Sequence, residues 1–335
     1  MKNIRKKILF LAKVCISGLI AVAILSAFCL IYYNPPIAAP QKDRYTNYAF
    51  TANRRWSFMT EGWGFGKTNN LGYIDSEDSA PAAPDIIVMG SSHTEALQVS
   101  SSKNYVALTE AMLLEDADPE NNYSCLNIGI SGHTFGTQIS NLPYLLRHFD
   151  GMKYVVIETS TFDYTPAEFQ DMLDGKFHSD LAEKNALYSL AQKIPYLRLL
   201  SKQYNSLQKA ENTTAEQNTA FDRDAYETAF ASVAAFLAET AKTQNFEIVL
   251  LYHANDLVES PNAAAQLSVV KDVCSAYGIC LVDTALMLSE HYEKTHQHPY
   301  GFSNTTPGTG HLNETGHGLI AQALYEHICE MEGAK

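Results

Sequence analysis

The sequence predicts an α/β protein: a three-layer α/β/α domain built on a parallel sheet of flavodoxin-like topology, plus one N-terminal transmembrane helix. Three observations predict it. From residue 85 onwards, short β-branched apolar runs alternate with helical patterns, as in a parallel sheet covered on both faces. The N-terminus pairs a basic cluster with a long uncharged apolar run. The chain has 335 residues, enough for one large domain with accessories.

Lys2, Arg5, Lys6 and Lys7 precede an apolar run from Ile8 to Tyr33 that only Lys13 interrupts. About 20 uncharged residues cross a bilayer, and Val14 to Tyr33 supplies them. The basic flank is N-terminal, and no Lys or Arg follows until Lys42. Residues 1–7 are therefore expected in the cytoplasm, 8–33 in the cell membrane as a single pass, and the rest outside the cytoplasm. A cleaved signal peptide is the rival reading, with Ile37-Ala38-Ala39 as its small-residue site. Cys15 and Cys29 fall in the membrane run; Cys125, Cys274, Cys280 and Cys329 are expected as buried free thiols.

The net charge of −13 argues against nucleic acid as a partner, since phosphate binding needs clustered Lys and Arg. Residues 34–80 are rich in Pro, Asn, Gly and aromatics without a steady period, and are expected to form a stalk and N-terminal extension. Trp56, Trp63 and Phe65 in it are expected to be packing residues. Residues 81–335 form the α/β domain. Its strands are expected at Ile86–Met89, Ser124–Ile128, Tyr154–Glu158, Phe246–Tyr252 and Gly278–Val282. Helices are expected at Asn104–Leu114, through Gln138 to Leu146, over Asp222–Thr243 with Tyr226, Phe230, Val233 and Leu237 on one face, and from Pro261 to Tyr277. A helical insertion over about 164–222 interrupts the alternation as a lid, a substrate wall or a peripheral hairpin.

Ligands of open parallel sheets bind at the C-terminal strand ends. Three such ends here carry reactive or small residues: Gly90-Ser91-Ser92-His93, Asn127 to Thr134, and Glu158 to Asp163. A fourth segment, His311-Leu312-Asn313, precedes the final helix, with Asn313 as its expected N-cap. Hydroxyl chemistry at neutral pH needs a base within reach of the nucleophile and N–H donors for the oxyanion. Ser92 as nucleophile, His311 as base and the backbone of Ser92 and Gly132 as donors meet that need. His93 and His133 are expected at the pocket rim, and His253 at a strand end. His291, His296 and His298 fall in an expected surface loop, and neither metal nor cofactor is expected.

The order and spacing of these blocks resemble the SGNH/GDSL hydrolase family. Gly90-Ser91-Ser92 is similar to the family's Gly-Asp-Ser, with Ser91 in place of Asp; Asn127 to Gly132 resembles its second block; and His311-Leu312-Asn313 resembles its last. Thr68 to Asp75 resembles an approach seen in membrane-anchored members. The resemblance implies a serine esterase or O-acyltransferase acting on an ester of an envelope or exported carbohydrate, commonly acetyl; residues 8–33 make it extracytoplasmic and the lipid bilayer its other expected partner. Two departures accompany it. Phe162 stands where the family has an oxyanion Asn, and Gly308 where it has the acid that orients the His. Asp283 or Asp163 is expected to replace that acid, or else a backbone carbonyl orients His311. The departures also motivate the alternative of a catalytically degenerate module that binds glycan or scaffolds an envelope assembly.

Overall fold

A computed structural model describes residues 2–37, 50–75, 80–115, 123–177, 194–211, 221–254 and 261–333. It opens with a helix, α1 (Lys2–Tyr32), long and apolar enough to cross a membrane. The strand β1 (Tyr33–Asn34) follows without a break and pairs antiparallel with β2 (Arg55–Phe58), which pairs in turn with β3 (Gly64–Lys67). The described part of the extension thus forms a small sheet around Trp56, Phe58, Ile74 and Leu97. Because β-branched residues are sparse there, no alternating pattern announces it.

The main sheet has five parallel strands in the order β5-β4-β6-β7-β8. They are β4 (Ile86–Met89), β5 (Cys125–Asn127), β6 (Tyr154–Thr159), β7 (Glu247–Tyr252) and β8 (Cys280–Asp283). Counted within the sheet this is 2-1-3-4-5, the flavodoxin-like order, whose topological switch point lies between the first and third strands. Here that crevice is bounded by the ends of β4 and β6.

Successive residues of β4 serve opposite faces. Ile87 and Met89 pack with α4 (Phe135–Leu145), α5 (Pro166–Leu173), α7 (Arg223–Gln244) and α8 (Pro261–Tyr277). Ile86 and Val88 pack with α3 (Tyr105–Glu115), α9 (Ala285–Thr295) and α10 (Glu314–Gly333). Burial on both faces explains the uninterrupted apolar runs. All the strands and helices expected within the domain form, with ends shifted by a few residues.

The described part of the insertion comprises α5 and a helix α6 (Pro195–Glu211). Pro195 is the first residue of α6, where its missing N–H is tolerated. Leu187 and Leu190 of the insertion lie outside the described residues. So do Asn255, Asp256 and Ser260, the residue ahead of the helix at Pro261. The four domain cysteines are free thiols. His291 sits inside α9 rather than in a loop.

Candidate active site

A short helix, α2 (Ser92–Glu95), starts immediately after β4, with the Ser91 side chain accepting from the His93 N–H at its N-cap. The turn is tight because Gly90 leaves no side chain to clash. A Cβ there would stand 1.8 Å from Thr94 Oγ1 and 2.5 Å from Glu158 Oε2. Ser92 is half-buried and its Oγ lies 2.9 Å from His311 Nε2. The two meet across 219 residues because His311 immediately precedes α10, whose first turn Asn313 Oδ1 caps by accepting from Thr315 and Gly316 N–H.

Neither Asp283 nor Asp163 orients this histidine. Asp283 pairs with Lys271 at 2.6 Å, and Asp163 accepts from Gln266 at 3.1 Å. The acid is Glu61, from the extension. Its Oε1 lies 2.8 Å from His311 Nδ1 and accepts the His311 backbone N–H at 3.1 Å. An ionised carboxylate only accepts, so Nδ1 carries the proton and the Nε2 lone pair faces Ser92. Burial raises the Glu61 carboxyl, but the hydrogen bonds and charge of His311, with Lys202 beyond, outweigh it and hold the group below its usual range. Gly308, where the family's acid would stand, has φ +81, and a Cβ would come within 2.8 Å of the His298 ring. Sequence reasoning missed Glu61 because it belongs to none of the blocks and lies 250 residues from its partner.

The loop after β5 runs beside the nucleophile turn. Ile130 N–H donates to Gly90 O at 3.0 Å, and two residues further on come Gly132 and Ser92 respectively. Gly132 is exposed, with φ +89 and open space beside it. Among the described residues no acceptor takes the N–H of Ser92 or of Gly132. Both remain available to an oxyanion. The loop is fixed by Glu95, buried on α2, which accepts from the N–H and hydroxyl of Ser131. Burial pushes the Glu95 carboxyl up to about 7 against the lowering effect of those bonds.

A second carboxylate braces the same turn from β6. Glu158, fully buried, accepts from Ser91 N–H at 2.7 Å, Ser91 Oγ at 2.9 Å and Thr94 Oγ1 at 2.7 Å, and lies 2.9 Å from His253 Nε2. Burial opposes its charge, yet His253, Ser91 and Thr94 hold it below the usual carboxylate range. His253, at the strand end where it was expected, turns its ring inward. His93 is likewise a wall and not a rim residue. It is buried, its ring centroid 4.5 Å from that of His253 and 5.1 Å from that of His311, and Leu312 N–H donates to its Nδ1. Burial first, and the neighbouring histidines second, hold His93 well below the usual imidazole range. His133 is buried too, and burial brings it down to about 4.

Phe162, at the family's Asn position, offers no donor. Its ring packs among Phe135, Phe230 and Tyr252, and its carbonyl accepts from Tyr226. Trp56 is buried as expected, at 3% exposure, whereas Trp63 and Phe65 stand out at 56% and 58%. Among the described residues there is no group of three or more metal-ligating side chains.

No family model and no curated protein matches the chain. Solved structures do. One is a lipolytic protein of the G-D-S-L family from Veillonella parvula, 16% identical over 72% of this chain and 96% of that one, with a TM-score of 0.40. A second is a GDSL-like lipase from Parabacteroides merdae, 14% identical over 73% and 96%, with a TM-score of 0.43. A third is a family two carbohydrate esterase from Clostridium thermocellum solved with cellohexaose, 14% identical over 76% and 67%, with a TM-score of 0.38. The 2-1-3-4-5 parallel sheet, with Ser92 at its switch point and His311 before the last helix, is the arrangement that the resemblance of the sequence blocks to the SGNH/GDSL hydrolases implies.

Proposed function

We propose that the protein is a membrane-anchored, extracytoplasmic serine esterase or O-acyltransferase that acts on an acyl ester, commonly acetyl, of an envelope or exported carbohydrate. One observation carries the reading: the continuous relay from Ser92 Oγ through His311 to Glu61, with spacings of 2.9 and 2.8 Å. A serine at a turn is otherwise only a cap. A serine facing an imidazole whose far nitrogen is held by a carboxylate is an activated nucleophile.

Ser92 Oγ attacks the acyl carbon while His311 Nε2 takes its proton, and Glu61 stabilises the imidazolium. The oxyanion is met by the N–H groups of Ser92 and Gly132. Collapse breaks the ester C–O bond, His311 returns the proton to the departing alcohol, and acyl-Ser92 remains. Water, or a second sugar hydroxyl in a transferase, repeats the steps in reverse with His311 as base. The acid missing at Gly308, which favoured a binding module, is replaced by Glu61. Phe162 remains the departure on that side.

A fluorophosphonate probe tests the reading without knowledge of the substrate. It should label the wild type at Ser92 and leave Ser92→Ala unlabelled, and Ser92→Ala should lose turnover of an activated acetyl ester. Full activity in Ser92→Ala would overturn it.

A further inference from the structure

The extension that supplies Glu61 is fastened directly to the end of α1. Met59 N–H donates to Tyr32 O at 2.9 Å, Ser57 Oγ donates to Leu30 O at 2.9 Å, and Phe58 pairs with Tyr33 in the sheet register. Lys202 of α6 binds Thr60 Oγ1 and sits 5.0 Å from the Tyr33 ring centroid and 4.0 Å from that of Phe58. A single ammonium group therefore spans the distance between the last residue of the apolar segment and the neighbour of Glu61. The reactive end of the domain lies at its anchored end, not at the far tip of a stalk.

Two exposed aromatics follow Glu61 on this strip. Phe65 lies directly opposite Ser57 in the β2–β3 register, and Ser57 is the residue bonded to the last turn of α1. Directly opposed residues share a face, with Cβ atoms about 4.5–5.5 Å apart. Phe65 therefore shares a sheet face with Ser57, whose hydroxyl reaches the Leu30 carbonyl in the last turn of α1. Trp63, two residues earlier, is exposed like Phe65, while Gly64 between them is buried. α6 packs against both α1 and β1 and exposes Leu200 and Tyr204 one helical turn apart. Aromatic side chains at this depth are the usual occupants of a membrane–water interface. With a net charge of −13, attraction to anionic headgroups does not draw the chain to a membrane, so apolar and aromatic insertion must supply the contact.

We propose that Trp63 and Phe65 dip into the interface of the leaflet from which α1 emerges, and that the ester reaching Ser92 belongs to an amphiphile resident in that leaflet rather than to a freely soluble sugar. This rests on the esterase reading above and narrows its substrate to a lipid-linked one.

The experiment uses the full chain in phosphatidylcholine vesicles. The sequence has two tryptophans, and Trp56 is buried, so quenching by lipids brominated near the headgroup reports on Trp63. Strong quenching is expected, together with protection from aqueous iodide. Turnover is then compared between O-acetylated dodecyl maltoside in the vesicles and O-acetylated maltose in solution. The double variant Trp63→Ser/Phe65→Ser should lose at least about tenfold on the tailed ester and stay within about twofold on the free sugar, the difference that an interfacial contact predicts. Equal loss on both esters, or a wild type that prefers the untailed sugar, overturns the inference. Labelling of Ser92 with Trp63 unquenched overturns the membrane contact alone, whereas no labelling overturns the esterase reading and the substrate with it.

Discussion

Replacing Glu61 with Gln removes one charge and little volume from the relay, and the cost can be worked from the geometry. When Ser92 gives up its proton, the His311 ring becomes positive with the carboxylate 2.8 Å from Nδ1. Two unit charges with centres about 4 Å apart attract by about 4 kcal/mol at an effective dielectric of 20. At about 1.4 kcal/mol per tenfold, that is a fall of about 10³ in kcat/KM. The amide has a second effect: it can turn its NH2 toward Nδ1, selecting the tautomer with the proton on Nε2, which cannot accept from Ser92. In another serine triad, the analogous Asp→Asn change lowers turnover by about 10⁴. The assay is kcat/KM on a soluble acetyl ester alongside the rate of fluorophosphonate labelling, with thermal unfolding as the folding control. Asp163→Asn and Asp283→Asn should stay within about twofold. Glu61→Gln within tenfold of wild type, with either aspartate variant losing more, would refute the assignment of the acid.

Two further outcomes follow from the carboxylates that brace the nucleophile turn. Glu158→Gln sets an amide donor against donors already aimed at the carboxylate and leaves His253 without its partner, so denaturant unfolding should report a loss of about 3–5 kcal/mol; unchanged unfolding would mean that Glu158 does not hold the turn. Glu95 has its folded pKa raised to about 7 from an ordinary 4.5, so its contribution is fully present below pH 4.5 and is lost as pH rises through 7. The Tm of wild type should accordingly fall relative to that of Glu95→Gln between pH 5 and about 8, and parallel pH profiles would rule the raised carboxyl out.

The domain was legible because burial on both sheet faces leaves a signature in composition. Ile86 to Met89 and Ile248 to Tyr252 are apolar runs that nothing but a covered parallel strand explains well. Ser92 and His311 were legible because each sits at a forced local feature, a glycine-tight turn and a capped helix start. The features that eluded the sequence depend on contacts with no local period. β2 and β3 are four residues each and take their order from the end of α1 and from Leu97, not from alternation. Glu61 carries no mark in its neighbourhood beyond the flanking Gly62. The inward turn of His253 is decided by Glu158, since a buried carboxylate claims the nearest donor and a strand-end position says nothing of which way a ring points.

The place of the acid alters how the chain divides. Composition draws a boundary near residue 81, between an extension and a domain that folds around the parallel sheet. The relay crosses that boundary: Ser92 and His311 lie on one side of it and Glu61 on the other. Fixing Glu61 also requires β2, which is ordered by β1, and β1 continues from the last turn of α1. Lys202, bound to Thr60 beside Glu61, brings the insertion into the same arrangement. A site assembled this way has its nucleophile and base supplied by the parallel-sheet domain and its acid by the N-terminal extension. The departure at Gly308 is then the counterpart of Glu61. A side chain at 308 would collide with His298, and the carboxylate that the chemistry needs enters from the N-terminal extension instead.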